Sequence, residues 1–354
     1  MERLERHARV ENITEYEDFR AVDMSDRDLR NASAAVLMTT TFDSTTAWPK
    51  TDRLPADFNP EKLLEDSKDP GLGIRKLHQE GIDGRGVTVA ILDQALSDES
   101  GKIMPHSEYA DRIVTYEEYG DARAEGVSMH GPAVTSLLVG KECGTAPGAG
   151  LVYKALPPMR HFGLWAKALS KIIESNKAED STRKVRVVSC SIGYDIRHPE
   201  PDLDEWISAI QQAEESGIIV VHVSGKNLLT FIGGGAPAKK DDIESYDRAL
   251  FLKEADGLDA YNDQDAHWSD ILIVPSDYRT KASCEGKDVY MYNGKGGMSW
   301  SVPYLAGVFA LALQVNPKLT GLEIGNAIRA TASINSKGYK ILNPKAAIEV
   351  IRSR

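Results

Sequence analysis

Gly84-Arg-Gly-Val-Thr-Val-Ala-Ile-Leu-Asp93 decides the fold. Two glycines bound an apolar run, Val87 to Leu92, that is short and rich in β-branched residues, so it reads as a buried strand. The run ends directly in Asp93. Strands buried on both faces belong to parallel sheets, and in open parallel sheets the carboxyl edge is where sites are built. Asp93 is therefore a functional candidate.

Outward from that strand the chain alternates helix and strand. A helix at about 71–80 precedes it. A helix from His130 to about Gly140, a strand from Leu151 to Leu156 and a helix at about 162–175 follow, the last with Leu164, Ala168, Leu169, Ile172 and Ile173 on one stripe. Next come a strand at 185–193, a helix at 202–216 and a strand from Ile218 to Ser224. Short strands at Ile271 to Pro275 and Asp288 to Tyr292, then helices at about 320–332 and 343–352, complete the pattern. Such alternation implies an α/β fold, with a mostly parallel central sheet and right-handed crossovers that put helices on both faces.

A second stretch carries the chemistry. Gly-Lys-Gly-Gly-Met-Ser-Trp-Ser-Val-Pro-Tyr-Leu-Ala-Gly, residues 294–307, is a glycine-rich turn that delivers Ser299 to the start of an apolar helix, with Pro303 expected in its first turn. A serine there lies in the positive end of the helix dipole, which favours negative charge developing beside its hydroxyl. Most serines in such places are N-caps, and a nucleophile needs a base and a group to orient that base. His130, in Ser-Met-His-Gly-Pro-Ala at the entry to a small-residue helix, has a suitable setting.

The order Asp93, His130, Ser299 and the text around each resemble a subtilisin-family (subtilase) serine peptidase from about Gly73 to the C-terminus. Gly81 to Asp93 resembles the aspartate box, His130-Gly131 the histidine box, and Thr145 to Ala149 the segment after it. Val188 to Gly193 resembles the substrate-binding strand and Gly297 to Pro303 the serine box. There are departures. Gln94, Ala95 and Leu96 follow the aspartate where the family has a small or hydroxyl residue and then glycine; Ala133 replaces a second histidine; Met298 replaces threonine. The family's oxyanion asparagine directly follows a glycine, whereas here Lys226 comes between Gly225 and Asn227. Either Asn227 returns to the hole or Lys226 occupies it.

The resemblance implies a serine endopeptidase with catalytic Asp93, His130, Ser299 and Asn227, and with Ser191, Ile192 and Gly193 binding an extended peptide or protein substrate. A catalytically silent subtilase-like binding or regulatory protein is the alternative. No cofactor is implied. Many subtilases bind calcium in a loop after the histidine helix, but here only Lys141 to Gly144 separates Gly140 from Thr145, so no tightly held ion is expected there.

The 354 residues carry 53 acidic against 42 basic side chains, net −11, with no Lys/Arg block, which argues against nucleic-acid binding. Three cysteines, Cys143, Cys190 and Cys284, show no metal spacing and read as reduced thiols. The charged N-terminus has no apolar h-region, and no run of eighteen apolar residues occurs, which predicts a cytoplasmic protein without membrane partners. Oligomeric state is not legible.

Residues 1–72 are polar and proline-punctuated and read as an extension to the peptidase domain at 73–354. One stretch of it, 45–60, is a candidate gate lying along Ser191 to Gly193 as an added strand; the plainer reading is a wrap or tether. Within the domain, 228–270 reads as an irregular acidic insertion, with ten acidic against four basic residues between Lys239 and Asp270.

Overall fold

The computed structural model describes residues 13–96, 106–123, 126–158, 161–178, 183–194, 200–223, 228–253 and 271–354. Its strands are β1 (Thr41–Asp43), β2 (Thr88–Asp93), β3 (Ile113–Glu118), β4 (Gly150–Ala155), β5 (Val185–Cys190), β6 (Ile219–His222), β7 (Phe231–Gly235), β8 (Asp247–Arg248), β9 (Leu272–Pro275), β10 (Arg279–Ala282), β11 (Tyr290–Asn293), β12 (Ser333–Ile334) and β13 (Lys340–Ile341). Its α-helices are α1 (Ala34–Leu37), α2 (Pro60–Asp66), α3 (Ile74–Gln79), α4 (His130–Val139), α5 (Phe162–Ala178), α6 (Leu203–Glu215), α7 (Met298–Val315), α8 (Gly321–Thr331) and α9 (Pro344–Arg352).

The central sheet has the order β3-β4-β2-β5-β6, every pair parallel. Side chains of β2 alternate between its two faces. Val89 and Ile91 join the core with α4 and α7, and Ala90 and Leu92 join the one with α5 and α6. This is the expected α/β architecture with helices on both faces.

Helix α7 is apolar all round because it runs through the core: Val302 to Ala312 are all buried. It is long and apolar enough to cross a membrane, but 83% of that stretch is buried in the protein. Helix α8 opens on a capping box in which Thr320 and Glu323 bond each other's backbone N–H groups, and Asn343 caps α9.

Two expectations need correction. The first half of the 228–270 stretch is regular: β7 pairs in parallel with β9 in a second sheet, β12-β13-β9-β7-β8. The glycines at 233–235 read as loop, but they are what allow β7 to lie tight against Ser276 and Asp247. The rest of that stretch, 254–270, lies outside the described residues.

The extension also differs. Residues 13–72 build two small apolar clusters, one around Phe19, Met24, Phe42 and Tyr292, the other around Leu29, Leu37, Leu54 and Phe58, with Trp48 packed against both. The 45–60 stretch does not lie along Ser191 to Gly193. Its backbone bonds run locally and to residues 22–29, as in Met24 N–H to Ala47 and Leu29 N–H to Arg53. A half-buried aromatic anchor explains this: Trp48 meets Phe42 edge-on at 5.1 Å and Phe58 tilted at 5.2 Å, which fold the stretch back on itself. The extension joins a domain sheet through β1, antiparallel to β11, which in turn pairs with β10.

Candidate active site

The face of β2 that carries Val89 and Ile91 continues to Asp93, which is 2% exposed. Asp93 Oδ1 accepts the Gln94 N–H at 2.8 Å and lies 2.6 Å from His130 Nδ1. A carboxylate only accepts, so Nδ1 carries the proton and Nε2 keeps its lone pair. Burial opposes charging of His130, but the charge and hydrogen bond of Asp93 outweigh it and hold the imidazole above its ordinary value, with Lys281 pulling the other way.

His130 is the first residue of α4, where backbone N–H groups have no helical partner. Ser128 Oγ accepts the His130 N–H at 3.0 Å, and Ser128 is itself bonded to the Gln94 side chain. The residue that departs from the family pattern thus ties the aspartate and histidine segments together. Gly131 is required here, because a Cβ would lie 2.4 Å from the Gln94 carbonyl.

Ser299 is the second residue of α7. Pro303 lies not in the first turn, as expected, but in the second, where it removes a helical donor. The carbonyl it leaves free is that of Ser299, four residues back, and Ser191 Oγ donates to it at 2.9 Å. Trp300 packs tilted against the His130 ring, with centroids 5.2 Å apart and 35° between planes. Among the described residues the Ser299 hydroxyl makes no hydrogen bond to His130. Such bonds are commonly loose before substrate arrives.

The turn before α7 is fixed from both sides. Asp277, 2% exposed, accepts the Gly296 N–H at 2.8 Å and the Leu250 N–H at 2.7 Å. Met298, in place of threonine, takes the Gly233 N–H on its sulfur at 3.0 Å. From the extension, the Thr40 carbonyl accepts the Gly294 N–H at 2.9 Å, and Asn293 Nδ2 donates to Thr41 Oγ1 at 2.8 Å. A Cβ on Gly294 would lie 2.3 Å from the Met38 carbonyl, so only glycine lets the two segments meet.

Of the substrate-strand candidates, Ser191 reaches Ser299 and the Ile192 carbonyl accepts the Val223 N–H at 3.1 Å; Ser191, Ile192 and Gly193 are all half-buried. Asn227 and Lys226 lie outside the described residues. The turn after α4 is organised by Glu108, whose carboxylate accepts the N–H groups of Glu142 at 3.0 Å and Cys143 at 3.1 Å and the Tyr290 hydroxyl at 2.7 Å. Among the described residues no group of three or more His, Cys, Asp or Glu side chains is placed to hold a metal ion.

The profile of the subtilase family (peptidase S8) matches residues 84–346. The chain belongs to the subtilase family. Serine protease AprX of Bacillus subtilis strain 168 is 24% identical over 279 residues, 70% of this chain but 61% of AprX, so this subtilase spans less than two thirds of that relative. Subtilisin BL of Lederbergia lenta is 24% identical over 284 residues, 76% of this chain and 93% of that protein. Among solved structures, the prenylagaramide maturation protease PagA superposes with a TM-score of 0.53 at 18% identity, covering 80% of this chain and 99% of PagA. The PatG macrocyclase in complex with peptide gives 0.54 at 13%, covering 80% and 96%. Those likenesses establish the fold.

Proposed function

We propose that this subtilase is a serine endopeptidase working through an acyl-enzyme, with Ser299 as nucleophile, His130 as base and Asp93 orienting it. The observation that carries the reading is the buried Asp93 carboxylate 2.6 Å from His130 Nδ1, which leaves Nε2 as the acceptor beside the head of the Ser299 helix. His130 takes the serine proton during attack on the scissile carbonyl and returns it to the leaving amine. The imidazolium formed between those steps is stabilised by Asp93. The Ser299 N–H, at the positive end of α7, and Asn227 would hold the oxyanion. Because the Ile192 carbonyl is bonded to Val223, strand alternation directs the backbone groups of Ser191 and Gly193 to the opposite edge, where an extended peptide would pair. A cytoplasmic site of action belongs to the same reading, supported by three buried free cysteines.

A fluorophosphonate probe tests the assignment. Wild-type protein is expected to form a covalent adduct that disappears in Ser299→Ala and is strongly slowed in His130→Ala and Asp93→Asn. Folded wild-type protein that stays unlabelled while a control serine peptidase reacts would establish the silent binding protein instead.

A further inference from the structure

We infer that Trp300 and Lys281 set the basicity of His130 with opposite signs: the indole favours the imidazolium, and the Lys281 ammonium held against that indole opposes it. This deepens the peptidase reading by naming residues that position and tune its base.

The geometry comes from two periodicities that match. Strand β10 puts Arg279 and Lys281 two residues apart on one face, and helix α7 puts Trp300 and Tyr304 four residues apart on one face. Both intervals are roughly 6–7 Å, so each cation meets one ring. Lys281 Nζ lies 4.0 Å from the centre of the Trp300 ring and the Arg279 guanidinium 5.8 Å from that of Tyr304. Trp300 in turn packs tilted against His130 at 5.2 Å. The result is a chain of contacts, Lys281 to Trp300, Trp300 to His130 and His130 to Asp93.

Among the described residues, Lys281 is 0% exposed and its Nζ has no hydrogen-bond partner, and the Arg279 side chain, 1% exposed, bonds only the Cys143 carbonyl, at 3.0 Å. An ammonium in that position is held against the indole, 4.0 Å from the ring centre. The other groups around it are Arg279 on its own strand, Arg20 from the extension, Asp277 from the turn before β10 and Cys143 from the turn after α4. Burial above all, then the neighbouring Arg279, pushes the Lys281 amine well below its ordinary value. His130 is faced by Asp93 from β2, by Lys281 from β10 and by the neutral Trp300 of α7. Protons on Lys281 and His130 therefore compete. An indole face next to the imidazole lowers the cost of charging it, which is the change His130 undergoes when it accepts the serine proton.

The test is an NMR titration of His130 in full-length protein carrying labelled histidine, assigned with His130→Gln. It is run on wild type, Trp300→Leu, Trp300→Phe and Lys281→Met, with the pH dependence of the fluorophosphonate labelling rate measured in parallel. Trp300→Leu should lower the His130 pKa by about half a unit. Trp300→Phe, which keeps a smaller aromatic face and the core volume, should move it the same way by less. Lys281→Met, which keeps the aliphatic stem, should raise it by about half a unit. Opposite displacements of this kind are not produced by a general loosening of the core. The inference is overturned if Trp300→Phe and Lys281→Met move the pKa in the same direction or if either leaves it unmoved. Opposed shifts in a protein that no probe labels would sink the peptidase reading and leave this one standing.

Discussion

His222, the last residue of β6, sits level with Cys190 of β5, is 1% exposed and stacks on Tyr194 at 5.6 Å. Burial drives its imidazole down to about 4. The neutral form is the one the fold accommodates, so the linked stability is fully present above the ordinary value near 6.5 and is lost as pH falls from there toward 4. Over that window the loss amounts to about 3 kcal/mol. Urea denaturation at pH 7 and pH 4.5 should show this acid loss in wild type and a flatter dependence in His222→Leu; equal slopes would remove His222 from the account. Nothing in the sequence marked this histidine, because its setting comes from two strands meeting rather than from its neighbours in the chain. The same holds for Trp300, Lys281 and Asp277. Asp93 and His130 were legible, since a carboxylate closing a buried strand and a histidine opening a small-residue helix are local signals.

Between the end of α4 and Thr145 the backbone needs donors satisfied in a short turn, and Glu108 supplies the acceptors from another segment. Glu108→Ala leaves the N–H groups of Glu142 and Cys143 and the Tyr290 hydroxyl without their partner and should cost about 3 kcal/mol, read as a drop in thermal midpoint. A chelator added to wild type should leave the midpoint where it is. A large chelator effect would mean that an ion, rather than Glu108 alone, holds this region. The elements the sequence made plain were those with clean periodicity: β2, α4, α5, α6 and the helices after the serine turn. Strand β10 was missed because Arg279-Thr-Lys281 spells a surface segment, yet its two cations point at aromatic rings in the core. Strand β3 was missed because, as an edge strand, it keeps Val114, Thr115, Glu117 and Glu118 exposed. Pro303 misled by one turn, since its role is to free a carbonyl rather than to start the helix.

Taken whole, the molecule uses its extension as a brace. β1 completes the sheet whose middle strand, β11, runs straight into the serine turn, and the Phe42 side chain packs on Tyr292 at 4.9 Å. Removing residues 1–60 should therefore lower the thermal midpoint by several degrees and reduce the rate of fluorophosphonate labelling. A truncated protein that keeps its midpoint and labels faster would restore the idea of a gate. The sequence left gate, wrap and tether open for the extension because its apolar residues are scattered singly among polar ones and form clusters only when folded onto the domain.

The bond between Asn293 and Thr41 spans 252 positions. Seen from the ribosome, that span is a schedule. The early strand is made first and waits, unpaired, through most of translation; contacts of such separation close late because the intervening chain must first be brought together. The turn that presents Ser299 should thus be among the last parts of the protein to take shape, with nearly the whole chain synthesised before that serine is set in place.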